Sequence, residues 1–218
     1  MTTDPSTRAL WSTFGAFLLI AGVFTWSTIY KRINTFSAGS RPEIAQKEVP
    51  PTLPPVRSSD PKIGSTRVDA VEIVEYADYR CTHCRALMPD LLSLLSDPSK
   101  HVRLVWREAP TKSQTRETLL PFIAARCAHR QGKFEAMHQA LFSAPSYTDA
   151  SLLLLAEAQS LDGKRFQACM NDESVAKLIR QDQGQALLFN INASPTLFVK
   201  GRPFVGRLEL AELNALTK

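Results

Sequence analysis

Two cysteines two residues apart, Cys81-Thr82-His83-Cys84, stand where one backbone periodicity gives way to another. Upstream, VDAVEIVEYAD (68–78) is of strand length and rich in β-branched residues. Downstream, Leu87, Met88, Leu91, Leu92 and Leu95 recur at a helical spacing, with Pro89 inside the pattern as an expected kink. The pair therefore marks a strand-to-helix turn. A cysteine at a helix N-terminus meets free backbone N–H groups and the positive end of the macrodipole, which favour its thiolate. A protonated His83 adds to that effect. A stabilised thiolate leaves readily, so a Cys81–Cys84 disulfide is expected to be oxidising. The two-residue spacer keeps Cys84 within reach of Cys81, so that it can resolve a mixed disulfide. The rival reading is half of a zinc site. A structural zinc needs two further ligands at compatible spacing, and Cys127, Cys169, His101, His129 and His138 form no clear second half.

The pattern continues with HVRLVWREAP (101–110) as a second strand. From about 114 to 191 it is helical, broken at Gly132 and again near Thr148 or Asp149, either of which suits an N-cap. SPTLFVKG and RPFVGRL read as two strands joined by a tight Lys-Gly-Arg turn, and LELAELNALTK closes as a helix. A small sheet must be covered by helices, so the block at 114–191 reads as a helical insertion into an α/β domain spanning 66–218. His138 and the stripe Phe134, Met137 and Leu141 read as core, as does the leucine run at 152–155.

Residues 1–8 are a short tail. Ala9 to Tyr30 is a stretch of 22 residues without a charged side chain, about the length that crosses a bilayer core as a helix. Trp11, Trp26 and Tyr30 lie near its ends, where amphipathic rings favour the interface. A cleaved signal peptide is the alternative, with Ser37-Ala38-Gly39 a weak cleavage site. Residues 31–65 carry Pro42, Pro50, Pro51, Pro54, Pro55 and Pro61 and read as an extended linker. Only Arg8 precedes the span, while Lys31, Arg32 and Arg41 follow it. The positive-inside bias would keep the C-terminal domain cytoplasmic; disulfide chemistry places it on the oxidising side. Residues 63–218 hold 19 Lys/Arg against 17 Asp/Glu, and no basic stripe interleaved with aromatics appears, which argues against nucleic acid as a partner.

VEIVEYADYRCTHCRALMP resembles the active-site segment of the DsbA-like thiol–disulfide oxidoreductases of the thioredoxin superfamily. AARCAHRQGKFEAMHQALF, LDGKRFQACM and NASPTLFVKGRPFVG resemble that family's helical insertion and closing hairpin, in the family's order. The resemblance implies a thioredoxin fold with an inserted helical subdomain. It makes Cys81 the exposed nucleophile and Cys84 the buried resolving thiol, with His83 beside them. Glu75 would be a buried acid assisting proton transfer at the inner cysteine; an ordinary solvent-facing strand residue is the alternative. Pro195 matches a cis proline beside the disulfide, against a plain turn proline. Ser194 before it would contact the sulfurs or the substrate backbone. Thr82 stands where proline is common in strong oxidants; it faces substrate and tunes the potential. Cys127 and Cys169 match positions that the family sometimes bridges. Closing that loop would stabilise by about 4 kcal/mol in the chain-entropy model; two buried free thiols are the alternative.

The expectation is thus a dithiol oxidase acting on cysteine-containing protein substrates, without cofactor or metal. It would be held by one helix in the cytoplasmic membrane of a bacterium, its domain facing the periplasm or cell exterior. By resemblance, a quinone-linked membrane protein would reoxidise it. A reductase or isomerase for particular clients uses the same chemistry in reverse. A thioredoxin-like assembly module without turnover is a third reading, disfavoured by the presence of both active-site cysteines.

Overall fold

In the computed structural model, VEIVEYA forms strand β2 (Val71–Ala77) and VRLVWRE forms β3 (Val102–Glu108). They pair in parallel, Val71 opposite Val102 and Ala77 opposite Glu108. A parallel pair cannot be closed by a hairpin, so the chain between must cross over the sheet. Helix α1 (Thr82–Ser96) is that crossover, and it runs through Pro89. It buries Cys84, Leu87, Met88, Leu91 and Leu94 against the sheet. Leu94 takes the deepest place in the last turn and Leu95 lies at its edge, because the helical period drifts past a strict repeat. The structure describes residues 56–109 and 115–218, all within the compact unit Ile44–Lys218. The apolar stretch at 9–30 lies outside the described residues. Among those described, no helix is long and apolar enough to cross a membrane.

The other side of β2 is taken by the closing hairpin. Strand β4 (Thr196–Val199) runs antiparallel to β2, with Tyr76 opposite Thr196, and β5 (Arg202–Val205) pairs with β4. The turn uses Lys200 and Gly201 at φ of 50° and 76°, the two left-handed residues that a two-residue hairpin turn matched to strand twist requires. Pro203 on the outermost strand removes a donor from that edge. Helix α7 (Leu210–Leu216) returns to pack beside α1.

The helical insertion is α2 (Arg116–Arg130), α3 (Phe134–Ser143), α4 (Asp149–Ala158), α5 (Gly163–Met170) and α6 (Glu173–Leu188). Each start has a local cause, except α3, which has no side-chain cap. Thr115 caps α2, Asp162 caps α5 and Asp172 caps α6. Of the two candidates at 148–149, Thr148 is the N-cap of α4, in a reciprocal pair with Ser151. Gly132, at φ of 70°, ends α2 in the left-handed geometry that glycine adopts without strain. Helix α2 is central: every residue from Leu119 to Ala128 is buried. With a short edge strand β1 (Lys62–Gly64), the sheet is a five-stranded β1-β3-β2-β4-β5 array with one large apolar core on the α1 side and a smaller one on the other.

One boundary needs correction. The linker expected over 31–65 ends earlier, because Lys62–Gly64 form strand β1, antiparallel to β3 with Lys62 opposite Val105. Asp60 is buried and accepts from Arg107 at 2.7 Å and from the Arg57 backbone at the same distance. A three-residue edge strand beside Pro61 has no periodicity of its own; β3 supplies its register.

Asp60 belongs to a buried ionic cluster joining the domain's start to β3, α2 and α6. Arg126 on α2 holds Glu108 through two bonds of 2.6 and 2.5 Å and Asp182 through one of 2.7 Å. It also donates to the Ser59 carbonyl at 2.9 Å. Arg57 pairs with Asp182, and Arg107 bonds Gln185. Removing one partner strands buried charge of the other sign. Arg126→Met should therefore lower unfolding stability by about 3–5 kcal/mol, read from urea denaturation. A loss under about 1 kcal/mol would mean that the cluster is screened by water.

Candidate active site

Cys81 is the N-cap of α1, with extended backbone at φ −77° and ψ 121°. Its sulfur accepts the Cys84 backbone N–H at 3.2 Å, the bond that a capping side chain makes. Cys81 is half-exposed, whereas Cys84, on the inner side of the first turn, is fully buried; both are free thiols. The loop before β4 completes the pocket. Cys81 Sγ donates to the Ser194 carbonyl at 3.2 Å, and Cys84 Sγ lies 3.2 Å from the Ser194 hydroxyl. The Ser194–Pro195 peptide is cis, and Pro195 is buried. Ser194 thus touches both sulfurs, one with its backbone and one with its side chain. Thr82 and His83 are exposed on the first turn of α1.

Glu75 points inward. It lies opposite Trp106 in β3 and Leu197 in β4, is fully buried, and neither carboxylate oxygen has a hydrogen-bond partner among the described residues. Burial pushes its pKa up to about 8. Burial also pushes the Cys84 thiol well up, opposed by the Asp78 backbone. The Cys81 hydrogen bond and the charge of Glu75 add to the rise, and the Ser194 hydroxyl opposes it. An acid that exchanges a proton near neutrality therefore acts electrostatically on a thiol that resists losing one. This is a physical setting for passing a proton at the inner sulfur.

Tyr79 and Arg80, just before Cys81, carry contacts that sequence reasoning did not find. The Tyr79 hydroxyl is 2.8 Å from Nδ1 of His138, and its ring packs on Trp106, Phe122 and Phe142. His138 is a core residue, pushed down to about 3 by burial. The Tyr147 hydroxyl lies 3.1 Å from the Tyr79 carbonyl. Arg80 donates to the carbonyls of Thr118 and Glu117 at 2.6 and 2.9 Å. No sequence signal marked these partners, which come from α2, α3 and the turn before α4. Away from the site, Cys127 on α2 and Cys169 on α5 form a disulfide with Cα atoms 5.7 Å apart. Among the described residues, no group of three His, Cys, Asp or Glu side chains could hold a metal ion.

The burial of Glu75 has a thermodynamic signature. Its folded pKa of about 8 exceeds the ordinary 4.5, so the folded state holds the proton more tightly. Its contribution is fully present below pH about 4.5 and is lost as pH rises to about 8. Glu75→Gln should remove that slope. Relative to the parent, the variant should gain roughly 3–5 kcal/mol between pH 4 and pH 8.5, measured by denaturant titration across pH. Parallel stability profiles for the two proteins would contradict a buried, unpaired acid.

The family model described as thioredoxin matches residues 59–218. Among curated proteins, the chain is 34% identical over 162 residues to the Na(+)/H(+) antiporter NhaA 3 of Salinispora tropica, covering 74% of this chain and 25% of that protein. It is 27% identical over 202 residues to the Na(+)/H(+) antiporter NhaA 1 of Mycobacterium sp. strain KMS, covering 90% of this chain and 32% of that one. The chain thus spans about a quarter to a third of the length of these relatives. Among solved structures, a thioredoxin-like oxidoreductase from Silicibacter pomeroyi superposes with a TM-score of 0.64 at 29% identity, covering 73% of this chain and 91% of that one. BdbD from Bacillus subtilis shares the fold at a TM-score of 0.66 and 19% identity, over 78% of this chain and 96% of its own. The thiol-disulfide exchange protein alpha-DsbA2 from Wolbachia pipientis shares it at 0.64 and 22%, over 72% and 85%. With its paired cysteines at the strand-to-helix turn and the family match over residues 59–218, this chain belongs to the thioredoxin family of thiol–disulfide oxidoreductases.

Proposed function

We propose that the protein is a membrane-tethered dithiol oxidase acting on extracytoplasmic proteins. The observation that carries the reading is the asymmetry of the two thiols: Cys81 is reachable from solvent and Cys84 is not. A substrate thiolate attacks Cys81 of the Cys81–Cys84 disulfide. A substrate–Cys81 disulfide forms as the Cys81–Cys84 bond breaks, and the electron pair leaves on Cys84. Glu75, protonated below about pH 8, is the proton source for that buried thiolate. A second substrate thiolate then attacks its own sulfur in the mixed disulfide and releases Cys81. The substrate loses two electrons and two protons to the Cys81 and Cys84 thiols. Ser194 holds the approaching chain beside the sulfurs, with Pro195 fixing the loop, and Thr82 and His83 form the exposed lip that the substrate meets.

The oxidising direction is supported by the helix N-terminus at Cys81 and by the Cys127–Cys169 bridge, since such bonds persist in oxidising compartments. Tethering rests on the uncharged stretch at 9–30. It fits the names of the curated relatives, membrane transporters that carry a matching segment. Turnover would require a membrane-embedded reoxidant, quinone-linked by family resemblance.

Two measurements test this. Cys84→Ala should accumulate reductant-sensitive mixed disulfides with client proteins through Cys81, and Cys81→Ala should accumulate none. Absence of trapped clients would leave an assembly module. Equilibration of the protein with glutathione should give a potential near about −120 mV, whereas a value near about −270 mV would assign a reductase.

A further inference from the structure

The rim of the active site carries the positive charges of two arginines. Arg80 precedes Cys81, and Arg85 lies one helical turn beyond it on the same side of α1. The Arg80 guanidinium lies 4.8 Å from the centre of the Tyr147 ring, and Arg85 is exposed in the first turns of α1. Burial raises the Tyr147 pKa, and both arginines pull against that rise. The Thr118 and Glu117 carbonyls orient Arg80 without cancelling its charge.

Neither arginine has a carboxylate at ion-pair distance among the described residues. Arg165 and Arg202 share this, away from the cysteines in sequence; every other described arginine holds an Asp or Glu. Asp78, adjacent in sequence, is buried and accepts the backbone N–H of Arg80. A guanidinium left without a carboxylate, held in place by carbonyls and an aromatic face, suits an incoming carboxylate better than a solvated lysine would. Arg80 directly precedes Cys81 and Arg85 follows it by one helical turn, so a polypeptide exchanging at Cys81 passes beside both.

We infer that Arg80, positioned by Tyr147, and Arg85 on the exposed side of α1 form a carboxylate-reading subsite that selects polypeptides with an acidic side chain beside the reacting cysteine. The inference rests on the thiol-exchange reading and adds the charge of the substrate to it. The subsite forms no bond; it raises the local concentration of acidic substrate chains and orients them for attack on Cys81.

The test uses the full chain in detergent micelles and dithiol peptides differing only in Glu, Gln or Lys beside one cysteine. The Glu peptide should be oxidised about tenfold faster than the Lys peptide at low salt, with the Gln peptide between. The ratio should shrink at about 0.5 M NaCl. Arg85→Gln, an exposed change that keeps the fold, should bring the ratio to about threefold or less, and Arg80→Gln should do the same. Arg165→Gln removes the same charge from a distant helix and should leave the ratio intact. A parent ratio within twofold of unity would overturn the inference, as would an equal loss in the Arg165 variant. Binding of serine-for-cysteine analogues reads the subsite without exchange. Preference for the Glu analogue with no peptide oxidised would sink the exchange reading alone, and oxidation without preference would sink only the subsite.

Discussion

The parallel pairing of β2 with β3 is the constraint from which the site follows. It obliges the chain to leave the end of β2, turn, and cross the sheet as a helix, so a helix N-terminus must stand beside the C-terminal edge of the sheet. Cys81 occupies that turn. The antiparallel pairing of β4 with β2 does the rest. With Thr196 opposite Tyr76, the residues just before β4 emerge at the same edge as those just after β2. Ser194 therefore reaches sulfurs more than a hundred residues away in sequence. Neither arrangement needs the functional residues to find one another; the sheet register delivers them.

The domain buries acids in two ways, with different physical results. Asp182 is buried, which alone would raise its pKa, yet its hydrogen bond with Glu108 and the charges of Arg126, Arg57 and Arg107 hold it below the ordinary range. It stays ionised and ties β3, α2, α6 and the start of the domain together. Glu75 has no such partner, so burial acts unopposed. A neutral acid is cheaper to bury than an unpaired anion, but an acid that titrates near neutrality is a poor structural element. Its charge is among those that raise the pKa of Cys84, another buried group whose charge the interior disfavours, and that link gives Glu75 its sense.

The parts of this arrangement visible in the sequence are those carried by local pattern. Strand β2, helix α1, strand β3, the hairpin and the caps of the insertion each repeat at their own period or bear their own turn residues. The sequence leaves the inward face of Glu75 open, because alternation sets Glu75 with Ile73 without saying which face is covered. Strand β1 is not legible, since three residues beside a proline hold no period and form only because β3 offers an edge. The ionic cluster is invisible for a different reason: Arg57 and Asp182 are 125 residues apart, and a charge run gives no hint of which partner it will meet. Arg80 and Tyr79 lie next to the most legible motif in the chain, yet their partners come from the insertion.

That last point bears on what the insertion is for. The sulfur chemistry needs only the β2–α1 turn and the loop before β4, both parts of the sheet domain. The five helices contribute no atom to the hydrogen bonds at the sulfurs, but they grip the two residues before Cys81. His138 holds the Tyr79 hydroxyl, Tyr147 the Tyr79 carbonyl, and α2 the Arg80 guanidinium. The Cys127–Cys169 bridge, joining α2 to α5, stiffens the element that supplies this grip. A shift of the insertion would move the backbone leading into Cys81 and the charge beside it, without touching the helix N-terminus that governs the sulfur. The sheet domain fixes the reaction at the sulfurs, and the insertion sets the surface from which a substrate must approach them.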